Sequence, residues 1–169
     1  MSKVVYIIHI LALLIVQLIL LDNIQISSYL YLNIYVLAII LAPDDVNDTI
    51  VMLLGFAMGA IVDWANDTMG IHIAATTLLA YLRPAILGIV SIRQNNPIRT
   101  ALRSNNNSWL IKYVALSSAI YFFILIMLEA FSFRGFGLTL LRIICSAVAS
   151  FIIMILYYFT AIRSSSKHE

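Results

Sequence analysis

Long apolar runs separated by short polar links fill the chain and predict a series of membrane-spanning helices. Residues 4–21 form the first run, almost entirely Ile, Leu and Val, which is long enough to cross about 30 Å of hydrocarbon. Five further runs predict spans at 24–42, 49–64, 71–90, 113–131 and 138–162. The second and third runs are short, so a tilted or partly re-entrant path is an alternative for each. The pattern therefore predicts an all-α membrane protein, a six-helix transmembrane bundle.

The third run carries a ridge of small residues that ends in an acid. Gly55, Gly59 and Asp63 recur every four residues, so they lie along one face of the third helix. Glycines at this spacing let another helix approach closely, and an acid at this depth needs a partner or water because a charge facing lipid is costly. Gly70 marks the turn that follows. We therefore expect residues 55–84 to form a helical hairpin that the rest of the bundle surrounds.

Polar side chains within the other runs indicate contacts between helices. Ser146 and Ser150 are four residues apart in the sixth run, which predicts close helix contact. Gln17, His9 and Asn33 are expected to form interhelical hydrogen bonds rather than to ligate a metal or cofactor. The tyrosines of the second run are expected at the membrane interface, where aromatic residues are enriched; they are Tyr29, Tyr31 and Tyr35.

Composition supports the membrane interpretation. Hydrophobic residues make up 63% of the 169 residues and charged residues 11%, with a mean hydropathy of +1.01, whereas soluble domains carry about 25% charged residues. The spans leave room for a single membrane domain, residues 1–169. Nothing resembles the aromatic and basic surface of a nucleic-acid-binding protein. Cys145 is the single cysteine, which excludes an intrachain disulfide, and it is expected to be a small buried apolar side chain.

The distribution of cations predicts the orientation in the membrane, because short cytoplasmic loops carry an excess of Lys and Arg. One side would carry Lys3, Arg93, Arg99, Arg103, Lys112, Arg163 and Lys167, and the other Arg134, with Arg142 nearby. Both termini are therefore expected to be cytoplasmic. The basic loop at 91–112 has two interpretations, contact with a protein partner or topology control with attraction to anionic lipid.

Three charged residues are predicted close to the outer membrane interface. We expect Asp63, Glu129 and Arg142 to form a structural ion cluster that ties the third, fifth and sixth helices together, with Glu129 or Asp63 as the partner of Arg142. A proton relay or a ligand site is the alternative, since intramembrane acids often mark transport paths.

Arg83 belongs to the opposite, inner side. It lies about twelve residues, or about 18 Å, along the fourth helix, which argues against a bridge to Asp63. We expect Arg83 to extend toward its nearest interface or to pair with the acidic link that contains Asp44 and Asp45.

Signatures of catalysis are missing from the sequence. It contains no HExxH, no GxSxG and no phosphate-binding glycine-rich loop. We therefore expect no catalytic residues, no metal ligands, no cofactor and no enzymatic activity.

The block from Tyr35 to Pro84 resembles a known family. Residues 33–43, NIYVLAIILAP, lead into it as a short run that ends in proline, and residues 53–84, LLGFAMGAIVDWANDTMGIHIAATTLLAYLRP, complete it. The glycine-spaced helix, Asp63, the turn at Gly70 and the following helix of small residues resemble the rod shape-determining protein MreD. The ending Arg83-Pro84 is similar to its Bacteroidetes-like branch.

This resemblance implies a function and partners. Such proteins are non-enzymatic subunits of the bacterial elongation machinery in the cytoplasmic membrane, and they pair with the single-pass protein MreC. Together they connect MreB filaments with the peptidoglycan polymerase RodA and its transpeptidase. The family is also similar in fold to the six-helix substrate-capturing subunits of energy-coupling-factor transporters.

Two functions therefore remain open at this stage. The first is a scaffold that recognises other helices through small-residue faces such as Gly55/Gly59 or Ser146/Ser150. The alternative is a subunit of a membrane transporter that holds a small molecule in an outward-facing pocket lined by the predicted ion cluster.

Overall fold

A computed structural model describes residues 3–21, 31–43, 46–92, 107–130 and 136–162. The described helices are α1 (Lys3–Val16), α2 (Leu37–Ile40), α3 (Asp48–Asn66), α4 (Ile71–Ile92), α5 (Asn107–Ala130) and α6 (Phe136–Tyr157). One turn of π-helix extends α1 over Gln17–Leu21 and α6 over Tyr158–Ile162. All regular secondary structure in these ranges is helical, which confirms the predicted all-α class.

Four of these helices are long and apolar enough to cross a membrane, and α1 with its π-helical turn forms a shorter apolar helix. The protein therefore has the character of a multi-pass membrane protein. Several predictions concern residues outside the described ranges, and they remain predictions. They are the start of the second span at 24–30, the link acids Asp44 and Asp45, the greater part of the basic loop at 93–106, Arg134, and the cations Arg163 and Lys167.

The long helices follow one another around the bundle. The antiparallel α3 and α4 form the predicted hairpin, α5 packs against α4, and α6 packs against α5. We call the end of the bundle where α3 begins the basal end and the end where α3 finishes the apical end. Broad apolar faces of α1, α3 and α6 are exposed, as lipid-facing surfaces are. The expectation that Cys145 is buried is wrong, because it lies on the exposed face of α6.

The second predicted span is where the structure departs most from the sequence pattern. A continuous helix over 24–42 is wrong for residues 31–36, because 31–34 are not helical, a turn follows, and only Leu37–Ile40 forms a helical turn. We call residues 31–43 the crossing segment. Its side chains from Asn33 to Ile40 are all buried.

The crossing segment runs from one end of the bundle to the other. Tyr31 lies apically beside Glu129, near the end of α5, whereas Ala42 lies basally beside Arg83, whose guanidinium also approaches Asp48 at the start of α3. Extended backbone advances about 3.3 Å per residue and α-helix about 1.5 Å. A run that is short for a helical span therefore crosses the bundle because part of it is extended, so the re-entrant alternative does not apply to this run.

Candidate functional site

Gln17 of α1 holds the apical half of the crossing segment. Its Nε2 donates to the carbonyl oxygen of Leu32 (2.9 Å) and to Oδ1 of Asn33 (3.1 Å), and its Oε1 accepts from the backbone N–H of Ile34 (2.9 Å). The side chain is fully buried. Backbone polar groups at membrane depth must be satisfied inside the protein. The Gln17 amide therefore acts on residues 32–34 as a neighbouring strand would.

Two serines of α6 bind the same stretch from the other side. The N–H of Tyr31 donates to Ser146 Oγ (3.0 Å), and the N–H of Asn33 donates to Ser150 Oγ (3.1 Å). Ser150 Oγ in turn donates to the carbonyl oxygen of Tyr31 (3.3 Å). Both serines are fully buried. The predicted close contact at Ser146 and Ser150 is therefore made within the chain, and this face is not available to a partner.

The basal half of the crossing segment is held through its carbonyl groups. Side chains donate from Tyr6 to Ala38 (2.8 Å), from Tyr113 to Ile40 (3.0 Å) and from Arg83 to Ala42. The last carbonyls of a helix have no partner within it, and here three other helices provide donors. The single helical turn of α2 is thus stabilised by side chains that arrive from α1, α4 and α5.

Arg83 turns into the bundle instead of toward the lipid headgroups. It is 4% exposed, and its Nη1 lies 3.9 Å from Oδ1 of Asp48, which is 64% exposed. The expectation that Arg83 extends to the interface is therefore wrong, because its guanidinium is buried, donates to the carbonyl of Ala42 and lies close to the Asp48 carboxylate. Its predicted separation from Asp63 is confirmed, since Arg83 lies toward the basal end.

A buried chain of four polar side chains lies at the centre. Asn33 Nδ2 donates to the hydroxyl of Tyr121 (3.3 Å), and the hydroxyls of Tyr121 and Tyr35 are 2.9 Å apart. The Tyr35 hydroxyl is 3.1 Å from Nδ1 of His72, and the Tyr121 hydroxyl is 3.3 Å from the same atom. We call these four residues the central chain. It joins the crossing segment to α4 and α5.

Asp63 caps the start of α4. Its Oδ1 accepts from the N–H of His72 (3.0 Å) and from the hydroxyl of Thr68, and its Oδ2 accepts from the N–H of Ile73 (2.8 Å). The first N–H groups of a helix have no partner within it and favour a negative charge. The buried carboxylate is thereby satisfied on both oxygens, so its role here is to close the α3–α4 hairpin.

The predicted three-charge cluster is wrong in its inclusion of Asp63, because the donors at the start of α4 hold that carboxylate. Glu129 and Arg142 each contact Tyr31. The Tyr31 hydroxyl donates to Oε1 of Glu129 (2.6 Å), and Arg142 Cζ lies 5.8 Å from the centre of the Tyr31 ring. Both charged side chains thus contact Tyr31, the first described residue of the crossing segment.

The glycine ridge faces α4. A Cβ added at Gly59 would lie 2.5 Å from Oγ1 of Thr76 and 2.7 Å from Cα of Ile73, and one at Gly55 would lie 3.0 Å from the Thr76 carbonyl oxygen. Gly70 has a φ of +82°, the left-handed region that glycine favours, which allows the turn. The predicted close approach is confirmed, but α4 occupies the ridge and leaves no room there for a partner helix.

Replacing Asp63 with asparagine should lower the free energy of unfolding by about 1–2 kcal/mol, because one of the two capping oxygens is lost. Chemical denaturation in detergent would measure this change. Asp67→Asn is the matched control, since Asp67 is exposed with a φ of 53°, a conformation that asparagine tolerates. An equal decrease in the free energy of unfolding of the two variants would mean that net charge, rather than the cap, is responsible.

Sequence analysis missed the two tyrosines of the central chain, and also Tyr113, which binds the crossing segment. Tyr35 was expected at the interface but is fully buried, and Tyr113 and Tyr121 were not singled out. A signal for them exists, because Tyr113, Ser117 and Tyr121 recur every four residues on one face of α5. Polar side chains that share a face within an apolar run indicate a polar contact inside a bundle.

Among the described residues, no group of three or more His, Cys, Asp and Glu side chains is placed to hold a metal ion. What the site does provide is a set of buried polar side chains from four different helices, which form hydrogen bonds with backbone groups and with one another. Comparison of the chain with protein-family models, with curated proteins and with solved structures finds no match.

Proposed function

We propose that the chain is a non-enzymatic scaffold subunit of the bacterial elongation complex, set in the cytoplasmic membrane with both termini inside the cell. It pairs with an MreC-like single-pass protein. Through that protein it links MreB filaments to peptidoglycan synthesis by a RodA-type polymerase and its transpeptidase, and so it controls cell shape. In this proposal the bundle is similar in architecture to the substrate-capturing subunits of energy-coupling-factor transporters.

The observation that carries the proposal is the role of the residues on which the resemblance to MreD rests. Gly59 allows α3 and α4 to touch, Asp63 caps α4, and Gly70 turns the chain between them. The same block contains the basal half of the crossing segment, which ends at Ala42 on Arg83. The resemblance thus coincides with the parts that organise the bundle, as expected for relatives that share a fold.

The hydrogen-bond partners of the buried polar side chains also support a scaffold. Gln17, Ser146, Ser150 and Asp63 each bind groups of the chain itself. What remains exposed on α1, α3 and α6 is mainly Ile, Leu, Val and Phe. Such faces meet either lipid or another transmembrane helix, and helices associate in lipid through packing. A partner helix would therefore dock on an outward face rather than on the glycine or serine faces.

Affinity purification from native membranes tests this proposal. The tagged chain, solubilised in mild detergent, should carry a single-pass membrane protein in stoichiometric amount, and its depletion should turn rod-shaped cells round. The control is the same tag on an unrelated multi-pass protein of similar size. Recovery of the chain without any stoichiometric polypeptide, together with unchanged cell shape on depletion, would contradict the scaffold.

A transporter subunit that binds a small molecule is the second candidate. Non-helical backbone inside a membrane bundle commonly lines substrate sites in transporters, and residues 31–34 are such a stretch. Glu129 and Arg142 lie at its apical start and provide both charges. Native mass spectrometry of the purified chain separates the two candidates, because a stoichiometric small molecule would favour transport.

A further inference from the structure

One face of α4 carries polar groups in the middle of its span. Thr77, Tyr81, Ala85 and Gly88 follow one another at intervals of three or four residues, so they share this face. We call it the lateral face of α4. Helix α3 packs against a different side of α4, at Thr76. Tyr81 and Ala85 are exposed, so the contacts within the bundle leave the lateral face accessible.

The hydroxyl of Tyr81 lies too deep to reach either membrane interface. Tyr81 is the eleventh of the 22 residues of α4, and it is 62% exposed. Each end of the helix is about 15 Å away, which is further than a tyrosine side chain extends. By contrast, the large exposed side chains of α1 and α6 are all Ile, Leu or Val. A hydroxyl at this depth calls for a hydrogen-bond partner that lipid tails do not provide.

Two further groups of α4 near Tyr81 have unused hydrogen-bonding capacity. Oγ1 of Thr77 is buried and forms no hydrogen bond within the described structure. Pro84 has no N–H, so the carbonyl of Ala80 does not receive the helical bond that it would otherwise accept. Pro84 is exposed on the lateral face. The lateral face is therefore matched to a neighbour that brings polar side chains to the middle of the membrane.

The shape of the lateral face suits a helix as that neighbour. A Cβ added at Gly88 would meet nothing within 4 Å, and Ala85 is exposed beside it. Small side chains let the backbone of a second helix approach closely, and a polar side chain on that helix can then hydrogen-bond across the contact. A transmembrane helix satisfies its own backbone groups, so only its side chains need partners on α4.

We propose that the lateral face of α4 binds the single transmembrane helix of the partner protein. That helix packs on Ala85 and Gly88 and places an amide or hydroxyl side chain against the hydroxyl of Tyr81. This inference rests on the scaffold function proposed above, and it adds the face of contact and the chemistry of the partner helix. The aliphatic faces of α1 and α6 meet lipid.

Leucine substitutions at two exposed alanines test the contact. Ala85→Leu fills the lateral face, whereas Ala57→Leu adds the same bulk to the side of α3 opposite its glycine ridge. When the tagged chain is purified from native membranes, Ala85→Leu should lower the recovery of the single-pass protein about tenfold, because the helices can no longer approach closely. Ala57→Leu should leave the recovery unchanged. Circular dichroism of both variants verifies that the bundle is folded.

Tyr81→Phe tests the hydrogen bond separately from the shape. It keeps the aromatic ring and removes the hydroxyl, so recovery of the single-pass protein should fall about threefold, the factor that one hydrogen bond between membrane helices gives. Undiminished recovery with both Ala85→Leu and Tyr81→Phe would overturn this inference and leave the scaffold function standing. A native chain that recovers no single-pass protein would overturn both.

Photo-cross-linking in living cells identifies what occupies the lateral face. The photoreactive residue p-benzoylphenylalanine would replace Leu78, which is exposed on the lateral face, or Leu53, an exposed leucine of α3 that serves as the control. Position 78, and not position 53, should cross-link to the transmembrane segment of the same single-pass protein that affinity purification recovers. A cross-link from position 78 to a second copy of the chain would overturn the inference.

Discussion

Replacing Gly59 with alanine should lower the free energy of unfolding by about 3 kcal/mol, at the upper end of the range for overpacked interiors. The added Cβ would lie 2.7 Å from Cα and 2.8 Å from N of Ile73, so it meets backbone that no rotamer change can move. It would also lie 2.5 Å from the hydroxyl oxygen of Thr76, which is within hydrogen-bond distance of the Gly55 carbonyl across the hairpin, at 2.8 Å. Helices α3 and α4 would have to separate.

Two other glycines provide graded controls for the same measurement, denaturation in detergent followed by circular dichroism. Gly55→Ala meets the Thr76 carbonyl oxygen at 3.0 Å and should cost about 1 kcal/mol. Gly88→Ala meets nothing within 4 Å and should stabilise α4 by about 0.5–1 kcal/mol. The decisive result is the order of the free energies of unfolding of the three variants. If Gly59→Ala were as stable as Gly88→Ala, the close approach of α3 and α4 would be disproved.

Gln17→Leu should lower the free energy of unfolding by about 4 kcal/mol. Leucine matches the size of glutamine but removes the bonds to the Leu32 carbonyl, to Asn33 Oδ1 and to the Ile34 N–H. Each buried polar group left without a partner costs about 1–3 kcal/mol. Exchange at the amides of residues 31–36 should rise in parallel, which locates the damage in the crossing segment.

Ser150→Ala is the comparison for Gln17→Leu, because it removes bonds to the same stretch from the opposite helix. It should cost about 1–2 kcal/mol, since one hydroxyl is lost instead of a whole amide. A fully stable Gln17→Leu variant with unchanged exchange at 31–36 would show that something other than the amide holds this backbone.

The α3–α4 hairpin is the part of the fold that could be predicted best from the sequence. The spacing of Gly55 and Gly59 is enough to predict a contact, because a small residue every four positions marks the face on which another helix approaches. An acid shortly before a turn suits a cap on the next helix, yet Asp63 was expected to join Glu129 and Arg142 in an ion cluster, with Glu129 or Asp63 as the partner of Arg142. Both interpretations satisfy a buried charge, and only the distance to the N–H groups of His72 and Ile73 distinguishes them.

The polar centre could be predicted only in part. Gln17 and Asn33 were expected to bond between helices. Gln17 instead bonds the non-helical residues 32–34, and Asn33, itself in that stretch, donates to Tyr121 of α5. Tyrosines near the start of a predicted span are commonly interfacial. Tyr35 is buried instead, because the crossing segment is extended before it and reaches the centre of the bundle within a few residues.

The membrane character, the apolar runs and the hairpin could be inferred from the residues alone, because these depend on composition and on periodicity within one run. The conformation of residues 31–36 depends on contacts with distant helices, so it became clear only in the folded bundle. An apolar run is expected to be helical because a helix satisfies its own backbone groups. Here side chains of Gln17, Ser146 and Ser150, distant in sequence, bind several of the backbone groups of residues 31–34 instead, which makes an extended crossing possible.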